Sequence, residues 1–363
     1  MESNRLQGQQ GGRKIVRVCV NIFQHNRVFI LLAVFLASLP FWSRAVSRAI
    51  GIDLIYVMRM VGVFTIVAVG LNLLMGYAGQ VSLGHGAFFG IGAYTSALFT
   101  VKVGFPVWLS IIAAVFMAAL VGFLVAPVLR LKGHYLAMAT LGLGIVAFVF
   151  FRELIWLTNG NDGIRSIPKL ALPGIKITTR KGEYFFVWIV ALIVLALCNN
   201  LVRSRVGRAI RALHQSEVAA EAMGIDVSRQ KIKIFMLSTA LGGLAGGIFA
   251  HLQGYISPGT FDVLLSIELV TMVVVGGMES IWGAVAGAGL IIFIPEIIKA
   301  VPKWLGEAPK WVERYSLYEG LVFGLILMLT MIFMPSGITK SLSDMIRYRR
   351  NPIHNPFRKK VVE

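Results

Sequence analysis

Long apolar blocks, repeated along almost the whole chain, constrain this sequence more than any other feature. They fall at about 28–42, 54–75, 85–101, 107–129, 135–157, 185–202, 234–256, 266–278, 281–298 and 317–335. Most reach the roughly 17–25 residues that carry an α-helix across the hydrocarbon of a bilayer. A soluble domain is about 45–50% apolar and about 25% charged, whereas this chain is 57% hydrophobic and 14% charged. The expected fold is therefore all-α, a polytopic transmembrane helix bundle. About 10 spans are expected, with a range of about 8–10, because blocks eight and nine are short and separated only by 276–280. They read as a hairpin, or as one full span plus a re-entrant piece. The implied organisation is a basic segment 1–27, a single membrane domain 28–337, and a basic tail 338–363.

An even number of spans puts both termini on one side, and charge indicates which. With the termini inside, the inward segments hold 21 Lys and Arg and the outward segments 12. That is the direction of the positive-inside rule, so both termini are expected in the cytoplasm. The same placement explains much of the net charge of +18. The basic residues lie between apolar blocks, without the clustered basic and aromatic surface of a nucleic-acid binder, so no nucleic-acid partner is expected. The basic tail reads as a topology signal or as a contact with anionic lipid. Arg13, Lys14 and Arg17 precede the first block as in a signal peptide, but the polar lead is long and many spans follow, so this block reads as a retained helix. Cys19 and Cys198 provide neither metal spacing nor a disulfide framework.

Two loops are long. The outward one, 158–184, contains Asn159-Gly160-Asn161-Asp162-Gly163, residues that tolerate left-handed backbone and so form turns. The inward one, 203–233, holds a stretch rich in Ala, Arg and Glu at 208–223. These are good helix formers, and Gly224 is placed to end the helix. A short surface helix between two spans is expected there.

The segment from Gly70 through Tyr94 is dense in glycine and carries Asn72, Gln80, Ser82 and His85. Irregular backbone at membrane depth survives only where it is packed in protein or lines a cavity, and polar groups inside a bundle mark pathways. Asn72, Gly76, Gly79, Gln80, Ser82, Gly84, His85 and Tyr94 are thus the transport-pathway candidates. A bulky residue at Gly84 is expected to block passage and leave assembly intact. Gly86, Gly90, Gly242, Gly243, Gly246, Gly247, Gly283 and Gly287 read as positions of close helix packing. Arg59, Arg152, Glu153 and Glu268 fall near span ends; Arg59 is placed to snorkel and Arg152 and Glu153 to face the interface. No Gly-x-x-x-x-Gly-Lys-Ser/Thr, His-Glu-x-x-His or Gly-x-Ser-x-Gly occurs, so this chain offers neither an ATP-binding loop nor hydrolytic machinery. Of the six histidines only His85 stands in a suspicious segment.

The run Gly76-Tyr-Ala-Gly-Gln-Val-Ser-Leu-Gly-His-Gly-Ala-Phe-Phe-Gly-Ile-Gly-Ala-Tyr94 resembles the hallmark segment of the branched-chain amino acid ABC-importer permeases. It looks most like the longer of their two permease subunits. His134 to Leu141, Asn161 to Ile164, Gly207 to Ile225, Ala245-Gly246-Gly247, Gly276-Gly277 with Trp282-Gly283, and Pro335-Ser336-Gly337 are similar too. The resemblance implies a second homologous permease subunit and two cytoplasmic ATPases that bind ATP and Mg. It also implies a periplasmic or extracellular solute-binding protein, and a place in the bacterial inner membrane. No cofactor or metal is expected in this chain. The resemblance further implies that the 208–224 helix couples to an ATPase. Arg208, Arg211, Glu217, Ala219, Ala220 and Gly224 are the candidates, moving spans six and seven. Glu217-Val218-Ala219-Ala220 with Gly224 matches the family's Glu-Ala-Ala…Gly pattern only loosely. A permease for urea or short-chain amides shares much of the pattern. A stand-alone channel or secondary transporter is the rival of another class, and would move solute without ATP.

Overall fold

The computed structural model describes residues 27–305 apart from 132, 173, 174 and 178, together with 324, 325, 328, 329, 332 and 337. The expected basic ends, and nearly all of the expected tenth span, lie outside the described residues. The chain forms two compact units, one ending at Ile50 and one beginning at Gly51. In the first, α1 spans Arg27–Ile50 with Pro40 inside it. Among the residues of α1 whose side chains are described, the apolar stretch runs from Leu32 to Ser43.

The second unit begins with α2, Leu54–Asn72, whose N-terminal amides are capped by Asp53 accepting from the Tyr56 amide at 3.2 Å. At its far end α2 widens into a π-helical segment, Leu73–Tyr77. Next come α3 (His85–Val101), α4 (Val107–Val125) and α5 (His134–Glu153), then the short α6 (Ile155–Thr158). A two-stranded antiparallel hairpin, β1 (Ala171–Leu172) with β2 (Ile175–Lys176), interrupts the otherwise helical fold. Then follow α7 (Arg180–Arg203), α8 (Arg205–Gln215), α9 (Glu217–Ala222), α10 (Val227–Gln253), α11 (Val263–Gly276) and α12 (Ile281–Leu305). Among the described residues, seven helical segments are long and apolar enough to cross a membrane. They correspond to expected spans two, four, five, six, seven, eight and nine. The third is the 17-residue α3, about 25 Å long at 1.5 Å per residue. The eighth, Pro258–Gly276, is among these segments by length and composition, and it packs against α12.

Helix α2 is the central post. It is apolar all round, as a helix must be if other helices surround it, and it is buried from Val57 to its end. It packs against α7, α10 and α12, while α3 and α10 lie together with α4. Glycines permit these approaches. A Cβ at Gly246 would meet the Phe89 carbonyl, one at Gly92 the backbone of Gly243, and one at Gly287 the Met272 carbonyl. Gly90 lies under Phe151 and Phe261, Gly243 and Gly247 face Ala114, Gly283 faces Gly276, and Gly242 rests on Phe88 at 3.5 Å. The outer helices are the reverse: Phe116, Leu124, Val146 and Leu197 are each more than 60% exposed. So apolar a surface suits lipid or other membrane helices as its solvent.

Arg59 departs from expectation. It does not snorkel; its guanidinium is buried and forms an ion pair with the buried Glu183 of α7. Glu183 stands in the first turn of α7, where a helix N-terminus also favours negative charge. Arg152 and Glu153 do face outward, with side chains 44% and 59% exposed. Asn159, Gly160 and Gly163 all adopt positive φ, so the expected turn is present, and Ile164 pairs with Ile256 across the same end of the unit.

Candidate functional site

The polar residues of the 70–94 segment separate into two groups with different surroundings. The first is a clamp. His85 opens α3 and is fully buried. Its Nε2 lies 2.6 Å from the Ser238 hydroxyl on α10, and its Nδ1 lies 3.1 Å from the Ser82 hydroxyl. Ser238 donates its own proton to the Gly70 carbonyl of α2 at 2.6 Å. Its oxygen must therefore accept from His85, which places the imidazole proton on Nε2 and makes Nδ1 the acceptor from Ser82. One directional chain thus joins α2, α3 and α10, with both ring nitrogens satisfied. Nearby, Gly86 N donates to Ser266 Oγ of α11 at 3.1 Å, and Leu83 N donates to Thr140 Oγ1 of α5 at 3.0 Å.

Gly84 belongs to this clamp. A side chain there would run into the Thr140 carbonyl, so a bulky replacement first forces α3 and α5 apart.

The second group surrounds the break in α2. A π-helical turn leaves backbone groups offset from the regular ladder and recurs at functional positions. Gly76 sits within it, so close to Asn72 Oδ1 and Glu279 N that a Cβ would strike both. Asn72 Nδ2 donates to the Ser280 carbonyl at 2.7 Å, tying the break to the turn between α11 and α12. Asn72 Oδ1 and both side-chain polar atoms of Gln80 are buried without a hydrogen-bond partner among the described residues. Unsatisfied buried groups cost about 1–3 kcal/mol each, so this region carries a penalty that the clamp does not. Tyr94 lies apart from both groups, stacked on Phe151 at 4.5 Å in an aromatic cluster, its hydroxyl unpartnered among the described residues.

Against this break rests the loop read as a coupling helix. It is two helices, α8 and α9, rather than one. Ser216 is extended (φ −162°, ψ 117°) and its hydroxyl accepts from the Ala219 amide. A serine able to cap a new helix ends the old one. Gly224, at φ +80°, closes α9 as expected. Arg208, Arg211 and Ala219 are exposed, whereas Ala220 is buried with Leu213 and Val227. Glu217 turns inward to Lys231 of α10 at 2.5 Å, so it fastens α9 to its own chain. The outward face of α9 instead presents Val218 and Met223, 75% and 83% exposed.

Sequence reading overlooked His214. Its Nδ1 lies 2.9 Å from the Gly76 carbonyl, and its ring would lie 3.3 Å from a Cβ at Gly79, a residue at φ +68°. The only hint in the sequence was its place at the end of an amphipathic stretch; the partner is 138 residues away. Lys231 and Ser238 were missed for the same reason.

The family described as "Branched-chain amino acid transport system / permease component" matches residues 53–331. The "High-affinity branched-chain amino acid transport system permease protein LivM" of Escherichia coli is 32% identical over 321 residues, covering 82% of this chain and 71% of the relative. Its counterpart in Salmonella typhimurium agrees to the same degree. The permease protein LivH of Escherichia coli is 26% identical over 304 residues, covering 76% of this chain and 90% of the relative. No solved structure matches.

Proposed function

The chain belongs to the branched-chain amino acid transport permease family, on the side of its longer, LivM-type member, and from that premise we propose how it works. It is a multi-pass membrane subunit of an ATP-driven importer of leucine, isoleucine and valine, and is not itself an enzyme. A second, LivH-like permease subunit completes the membrane pathway. Two ATPase subunits, holding ATP and Mg, engage the α8–α9 face in the cytoplasm, and a solute-binding protein delivers from outside. In this reading about ten helices cross the bacterial inner membrane and both termini are cytoplasmic. The observation that carries the proposal is the family match, which begins at the first residues of α2 and runs beyond α12.

The geometry supports a route for coupling. An ATPase groove receives the exposed Val218 and Met223 of α9. The Glu217–Lys231 contact passes displacement to α10, and α8, joined to α7 through Ser204 alone, moves α7. His214 adds a third branch, directly into the break of α2. Replacing Arg211 and Glu217 is expected to uncouple ATP hydrolysis from uptake.

Uptake of labelled leucine and labelled urea, by matched cells with and without this chain and with ATP supplied or depleted, tests the reading. ATP-dependent leucine uptake should vanish without the chain. Loss of urea uptake alone would change the solute, and chain-dependent uptake that survives ATP depletion would replace the importer with a channel or secondary transporter.

A further inference from the structure

Helices α4 and α5 follow one another in the chain and each packs on α3, but they scarcely touch each other. The gap between them holds a cavity of about 650 Å³, a size typical of ligand sites. It runs beside α3 from Ala87 to Lys102, about 22 Å at the helical rise of 1.5 Å per residue. Ile91, Leu98, Met117, Leu143 and Phe150 form part of its apolar wall, and no carboxylate lines it among the described residues. One ionised group does. Lys102, just past the end of α3, lines the cavity and is exposed. Its ammonium donates to the carbonyls of Trp156 and Leu157 at 2.9 and 2.8 Å. An ammonium has three donors, so the two carbonyls fix its position and leave one donor free. They do not neutralise it, and it forms no ion pair among the described residues. Trp156 beside it is 75% exposed. Tryptophan gathers at the membrane–water interface, and so do lysines that end an apolar helix.

We infer that this cavity binds one acyl chain of a phospholipid, with the Lys102 ammonium holding the headgroup phosphate. Other occupants fail on size or on charge. A helix of a neighbouring subunit, about 10–12 Å across, would fill roughly 1,700–2,500 Å³ over about 22 Å, more than the cavity offers. An amino acid would bring its ammonium to a wall without a carboxylate, and burying an unpaired charge is costly. A phospholipid supplies both things the site calls for. Its tail suits the apolar wall, and its phosphate is the anion for the one uncompensated cation. The chain of one leaflet spans about 15 Å, half of the hydrocarbon core, so it fits the length of the cavity with its phosphate at Lys102. It fills the gap that α4 and α5 leave between them. The site is independent of which solute the importer moves.

The test uses the complete assembly, both permease subunits and both ATPases, in nanodiscs of phosphatidylethanolamine and phosphatidylglycerol. A trace of the phosphatidylglycerol carries a photoreactive diazirine at the end of one acyl chain, and adducts are located by peptide mass spectrometry. Adducts at Ile91 and Leu143 are expected to exceed those at Phe116, an exposed side chain of α4, at least fivefold. Leu98→Trp, which fills the cavity, should lower the wall adducts at least tenfold. Lys102→Met, at an exposed position, should lower them at least fivefold, and Lys102→Arg should keep them. Adducts no denser at the wall than at Phe116, or unchanged in Lys102→Met, overturn the site. Wall labelling by a diazirine-bearing leucine in place of the lipid also overturns it and makes the cavity a solute site. The readout needs no transport, so the site stands or falls apart from the importer reading.

Discussion

The clamp around His85 and the break around Gly76 lie in one glycine-rich segment, yet they are built on opposite terms. In the clamp every named donor has an acceptor, and the Ser82–His85–Ser238–Gly70 chain holds three helices in one arrangement. In the break the helix is π-wound, three side-chain polar atoms are buried without partners among the described residues, and the neighbour is a surface helix. A satisfied buried network specifies one packing, whereas an unsatisfied one lowers the cost of leaving it. The contrast separates the start of α3, tied to α2 and α10 by a satisfied network, from the end of α2, whose polar groups are not all satisfied.

The contrast can be broken by experiment. The largest effect is expected from His85→Leu, which strands Ser82 and adds bulk between three helices. Stability of the purified subunit should fall by about 1–3 kcal/mol, read by thermal unfolding in detergent, and transport should fall only in proportion to surviving protein. If that variant were as stable as wild type, the clamp would not be what holds α2, α3 and α10. His214→Ala removes a contact at an exposed surface helix, so stability should change by less than about 0.5 kcal/mol. ATP hydrolysis should continue with leucine uptake reduced at least fivefold. Unchanged uptake per ATP would remove the branch into α2. The smallest stability change is expected from Gln80→Leu. An apolar side chain of similar shape deletes two unsatisfied polar groups, so the subunit should be neutral or slightly more stable. Reduced uptake in a subunit no less stable would show that the amide serves the working cycle; full uptake would reduce it to a tolerated defect.

Much of the fold was legible because the bilayer makes it so. Where no water is available, backbone groups must be satisfied within helices, and apolar length alone marks them. That is why blocks two to nine return as helices, while Asn159–Gly163 returns as a turn because its residues tolerate left-handed backbone. Arg59 was misread, because its partner Glu183 lies 124 residues away and charge near a span end looks the same whether it snorkels or pairs. Ser216 was misread for a local reason: its capping ability competes with the helix propensity around it.

By itself the sequence determined the class of fold, the placing of most spans, the absence of an ATP-binding loop and, through the 76–94 segment, the family. These depend on composition, period and short motifs, all local in the chain. Only the tertiary structure decided that His85 ties α2, α3 and α10 together and that His214 meets the break in α2. Each of those depends on which helices lie side by side, and that is set by the close approach of glycine-bearing surfaces far apart in sequence.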